Sequence, residues 1–147
     1  MSTNLQEQDI DQLNSFLRGE ISAVETYGQA LDAADDPDSV KVLKEMKQSH
    51  EARVAKLQDA VLNLGGEPAK ESKAWGQFAK AVEGGAKLFG ESAAIAVLEE
   101  GEDHGLSDYR EDVSKLSPGV QGFVAAHLLP EQKRSHDALS RLKQRRD

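Results

Sequence analysis

"EMKQSHEARVAKL", residues 45–57, has the apolar spacing of a helix with one buried stripe. Counting back from Leu57 in alternating steps of three and four residues gives Val54, His50, Lys47 and Leu43. An ammonium and an imidazole therefore stand where a packed helix presents leucines. A buried charge without a partner is costly, so the stretch predicts that Lys47 and His50 face matching polar groups on neighbouring helices.

The same seam extends both ways, from Val40 to Leu64, where Gly65–Gly66 ends it. Before it runs a first pattern, Ile10, Leu13, Leu17, Glu20, Val24, Tyr27 and Leu31, closed by "DDPD", in which Asp36 can cap and Pro37 can open the next helix. A third carries Ile95, Leu98, Glu102, Leu106, Tyr109, Val113 and Leu116 and ends at "SPG", where Ser117 and Pro118 repeat the cap-and-start signal. A fourth contains Phe123, Val124, Leu128, Leu129, His136, Leu139 and Leu142; Pro130 inside it predicts a kinked or a broken helix. An average step of 3.5 is the seam of shallow, left-handed packing. Short connections make helices one and two, and three and four, antiparallel hairpins. The stretch "GGEPAKESKAWGQFAKAVEGGAK" between the hairpins holds Trp75, Phe78 and Val82 at helical spacing. These features predict an all-α, single-domain fold over residues 1–147: a ferritin-like four-helix bundle, two hairpins joined by a long crossover containing a short helix, with Trp75 anchoring it.

The chain has 147 residues, 30% charged and 38% hydrophobic, with a net charge of -8 and no cysteine. Thiol chemistry and disulfide scaffolds are excluded. The acidic balance argues against nucleic acid and anionic lipid. There is no membrane-length apolar run and no signal-peptide pattern, so the expected location is cytoplasmic. The basic end "RLKQRRD" reads as a solvated helix terminus.

The hairpins resemble copies of each other. "RGEISAVETY" on helix one matches "EGEDHGLSDY" on helix three, and "KQSHEARVAKL" on helix two matches "KRSHDALSRL" on helix four. Folded together, Glu20, Lys47, His50, Glu102, Lys133 and His136 should meet at mid-height, with Tyr27 and Tyr109 two turns along their helices. His104 is expected at the surface, and His127 as a partly buried packing residue.

Glu20 with Tyr27, Glu102 with Tyr109, and the histidines His50 and His136 resemble the ligand pattern of ferritin-like di-iron proteins, the bacterioferritin and rubrerythrin relatives. Lys47 and Lys133 stand at both positions where that pattern has a glutamate. More narrowly, "LNSFLRGEISAVETYGQAL", "AWGQFAKA" and "LEEGEDHGLSDYREDV" resemble an uncharacterised bacterial family of such bundles, a domain of unknown function, over nearly the whole chain. Two glutamates and two lysines sum to zero charge without a metal. Two further positive centres beside a dication would cost several kcal/mol. The resulting expectation is a non-catalytic protein without a cofactor, holding a degenerate, lysine-substituted di-iron site and serving a structural, assembly or stress-related role. The stress association rests on the resemblance alone. The alternative keeps Glu20, His50, Glu102 and His136 around one iron, zinc or manganese ion for oxidant handling. Self-association is compatible with either reading; neither names a protein partner.

Overall fold

The computed structural model describes residues 4–146, apart from the side chains of residues 74, 75, 86–88 and 146. It is all-helical: α1 (Asn4–Ala33), α2 (Pro37–Asn63), α3 (Gln77–Phe89), α4 (Glu91–Asp112), α5 (Pro118–His127) and α6 (Leu129–Arg146), with 3-10 turns at Lys73–Gly76 and Val113–Lys115. No described helix is long and apolar enough to cross a membrane.

At the start and the end of α2 the local signals act where expected. Asp36 caps α2 by accepting from the Ser39 amide at 3.0 Å, and Pro37 occupies the first helical turn. α2 stops where Gly65 adopts φ +84° and the Gly66 amide returns to the Val61 carbonyl at 3.0 Å. α5 opens at Pro118, but the side chain of Ser117 does not cap it. Instead Asp9 of α1 accepts from both the amide and the hydroxyl of Ser117, tying the start of α5 to α1. The fourth apolar pattern is broken rather than kinked: α5 ends at His127 and α6 starts at Leu129, leaving Pro130 in an opening turn that needs no amide donor. His127 is exposed, its ring 5.7 Å from that of Phe123.

α1 packs on α2 and α4, and α6 packs on α4 and α2. Buried side chains form two apolar clusters. One contains Tyr27, Leu43, Ile95, Leu98 and Leu139; the other contains Leu13, Leu17, Leu57, Tyr109 and Leu128. Followed in sequence order, α1 and α6 run from the second cluster to the first, and α2 and α4 run the opposite way. α3 lies against α1 and α4, burying Phe78 and Val82 as their spacing predicts. The side chain of Trp75, the expected anchor, lies outside the described residues. Between the two apolar clusters is a polar layer.

Candidate functional site

Each long helix sends polar side chains into that layer. Glu20 comes from α1, His50 and Arg53 from α2, Glu102 from α4, and Gln132 and Ser135 from α6; all are buried, Arg53 completely. His50 bridges the two acids: Nδ1 lies 2.5 Å from Glu20 Oε1 and Nε2 lies 2.6 Å from Glu102 Oε1. The tyrosines cross over. Tyr27 of α1 donates to Glu102 of α4, and Tyr109 of α4 donates to Glu20 of α1, each at 2.7 Å. This exchange follows from two antiparallel helices that each carry Glu and, seven residues later, Tyr. Two helical turns advance the chain about 10 Å on the same face, so each phenol reaches the partner helix's carboxylate.

Arg53 completes the layer on the α2–α6 side. Its guanidinium lies 3.4 Å from Glu20 Oε2 and donates to Gln132 Oε1 at 2.5 Å, to Ser135 Oγ at 3.0 Å and to Ser49 Oγ at 3.1 Å. Gln132 and Ser135 in turn donate to Glu102 Oε2, at 3.0 and 2.6 Å. Ser49 also donates to Glu131 at the solvent edge. Every oxygen of the two buried carboxylates therefore has a donor.

The electrostatics follow from this geometry. Burial alone would raise the Glu20 pKa, but the charges of Arg53 and His50, with the hydrogen bonds of His50 and Tyr109, hold it at about 2. Burial would likewise raise Glu102, which His50, Arg53 and Ser135 pull below the ordinary value. For His50, burial favours the neutral ring, but Glu102 and Glu20 outweigh burial and Arg53, and its pKa is raised. An imidazole with both nitrogens on carboxylates donates twice only as the cation. Two carboxylates thus face one guanidinium and one imidazolium, and the layer is neutral. Burial pushes both phenols well above their usual value, and the adjoining carboxylates push further.

Of the residues singled out in the sequence, Glu20, Tyr27, His50, Glu102 and Tyr109 meet in this layer. The other three do not. Lys47 is half-buried at the edge of α2, its Cε 3.9 Å from where a side chain on Gly28 would begin. Lys133 is exposed. His136 lies on the α4–α6 flank, with Nε2 2.6 Å from Asp103 and Nδ1 3.1 Å from Asp137. The expected lysine pairing is thus corrected: the buried cations are Arg53 and His50. On α2 the inward positions are Leu43, Met46, His50, Arg53 and Leu57, so the step back from His50 is four residues, to Met46, and the step forward is three, to Arg53.

A signal for the missed residues was present. Glu20 and Glu102 are 82 positions apart, as are Tyr27 and Tyr109. Applied to α2, that offset pairs His50 with Gln132 and Arg53 with Ser135, which are the inward residues of α6. The matching "SHEA" and "SHDA" strings are 86 positions apart, one helical turn out of register, and that match misplaced His136.

The donor set does not suit a metal ion. The Glu20–His50–Glu102–His136 set is not assembled, and both nitrogens of His50 already face carboxylates. A dication between Glu20 and Glu102 would also confront the Arg53 guanidinium. Among the described residues, no group of three or more His, Cys, Asp or Glu side chains is disposed to hold one. Beside the layer, on the α1–α4 side and under Phe78 of α3, is a cavity of about 40 Å³ bordered by Gly19, Gly101, Tyr27 and Tyr109, room for very few waters.

A family model described as a domain of unknown function (DUF2383) matches residues 8–115. That range includes Glu20, Tyr27, His50, Arg53, Glu102 and Tyr109. No curated protein and no solved structure shows significant similarity to the chain.

Proposed function

The chain belongs to the DUF2383 family, and we propose that it is a ferritin-like four-helix bundle with a non-catalytic, metal-independent role in structure, assembly or stress tolerance. In this reading α1, α2, α4 and α6 are the four helices, and α3 belongs to the long crossover. The observation that carries it is the pair of buried cations. Arg53 and the bridging His50 neutralise Glu20 and Glu102 within the protein, so the carboxylates need no external ion. The His-x-x-Arg of α2 and the Gln-x-x-Ser of α6 stand at the i, i+3 spacing that Glu-x-x-His has in di-iron bundles. Four substitutions at those positions turn a metal-binding layer into a self-contained one.

What the layer does is hold register. Its bonds join all four long helices at one height. A one-residue slip would leave buried charges unpaired, a far larger penalty than an apolar mismatch. The stress association is carried by the resemblance alone. The test is metal uptake: protein purified without chelators and then offered iron(II) or zinc(II) should hold only substoichiometric metal by elemental analysis, with an unchanged melting temperature. One tightly held equivalent, lost on Glu20→Gln, would overturn the reading.

A further inference from the structure

Charge is unevenly distributed along the chain. Residues 133–147 hold six Lys or Arg and two Asp, a net +4, so residues 1–132 carry -12. On α6, Arg134, Arg141 and Arg145 recur at helical spacing and line a groove of about 660 Å³ against the first half of α2, with Val42, Met46 and Ala138 also lining it. From Arg134 to Arg145 the arginine stripe advances eleven residue steps, about 16 Å at the helical rise. One acid, Glu45, borders the same groove, and Arg134 also pairs with Glu131 in its own turn. Arg141 and Arg145 are exposed.

The α1–α2 corner is the converse. Asp32 in the last turn of α1, Asp35 in the connection and Asp38 in the first turn of α2 are all exposed. The corner and the groove both border the N-terminal turns of α2, so each molecule presents an acidic projection beside a basic recess.

We propose that the recess receives the acidic corner of a second copy of this chain, and that the contact is reciprocal. A two-fold axis between corner and recess sets each copy's aspartates against the other's arginines in one operation, giving a closed dimer. Apolar side chains and arginines line the groove together, and the arginines select an acidic partner by charge. Exposed charges of this kind are screened over a few ångströms at high salt, which makes the association salt-sensitive.

Sedimentation equilibrium tests it. The wild-type protein should dimerise at low salt, with a dissociation constant at least about ten-fold weaker on going from roughly 0.05 M to roughly 0.5 M salt. Arg141→Glu with Arg145→Glu gives a chain with two acidic surfaces; Asp35→Lys with Asp38→Lys gives one with two basic surfaces. Each variant alone should be monomeric, with unchanged helical circular dichroism. Mixed one to one they should form a heterodimer, because both contacts of the pair are again opposite in sign. A wild-type monomer at all concentrations would overturn the proposal and point to a different acidic protein as the occupant. Dimers that survive in either variant alone, or a mixture that stays monomeric, would also overturn it.

Discussion

His50 and Glu20 titrate in opposite directions from their ordinary values, and together they set how stability depends on pH. The Glu20 carboxyl is held at about 2, against 4.5. Its contribution is complete above pH 4.5 and is lost as pH falls through about 2. The His50 pKa is raised from 6.5, so its contribution is complete below pH 6.5 and is lost as pH rises through the folded value. Urea denaturation across pH should therefore give a stability maximum between 4.5 and 6.5, with an alkaline decline that His50→Gln removes. Arg53 has the larger single effect. Arg53→Leu leaves Glu20 buried without its guanidinium, and should cost about 3–5 kcal/mol by the same measurement. Arg53→Lys keeps the charge but not the fork that reaches Gln132, Ser135 and Ser49, so its loss should fall between wild type and Arg53→Leu. Lys47→Ala, by contrast, removes a half-buried surface side chain and should change stability by no more than about 0.5 kcal/mol.

Between α4 and α6, close approach depends on Gly105. A methyl group there would come within 2.7 Å of Gln132 Nε2 and 3.2 Å of its Cδ. Gln132 is not free to swing aside, since it donates to the carbonyl and carboxylate of Glu102 and accepts from Arg53. In an exposed helix interior, Gly→Ala is stabilising by about 1 kcal/mol. Gly105→Ala should reverse that sign, with a net loss of about 1–3 kcal/mol from overpacking and a displaced amide. Gly84→Ala on α3 is the control, because nothing lies within 4 Å of its added methyl; thermal melts of the two variants should move in opposite directions. The broken fourth pattern also belongs to this scale. The new start at Leu129 sets which residues of α6 point inward, and a match of short strings does not register that change.

Across the whole molecule, the single offset of 82 residues relates both inward pairs of one hairpin to those of the other. In the proposed ferritin-like reading, the layer is a metal site with its ligands replaced. Installing His50→Glu, Arg53→His, Gln132→Glu and Ser135→His should then create a Glu-x-x-His on α2 and another on α6 beside Glu20 and Glu102. Such a variant should take up about two equivalents of cobalt(II), seen as visible absorbance. A folded variant that binds none would remove the ferritin-like assignment. A variant that does not fold would be expected to do so once cobalt(II) is added, since the ion supplies the charge that the substitutions removed.

The helices, the cap and stop of α2 and the order of the elements were decided by local sequence, whereas the start of α5 is held by the distant Asp9. Apolar spacing, Asp36–Pro37 and Gly65–Gly66 act within one or two turns, so they can be read without knowing what packs where. Glu20, Tyr27, His50, Glu102 and Tyr109 were legible for a related reason: a polar residue inside an apolar seam marks a buried partner. Which cation answers those acids was decided only by tertiary structure. Met46 and Lys47 are neighbours on the helix surface, about 100° apart, and the packing against α1 and α6 selects the face that buries Met46. With that rotation Arg53 enters the core and Lys47 leaves it. The helix break at Leu128 makes the same choice for α6, bringing in Gln132 and Ser135 and leaving His136 at the flank. A small rotation of each helix, invisible in its own sequence, determines which charges meet.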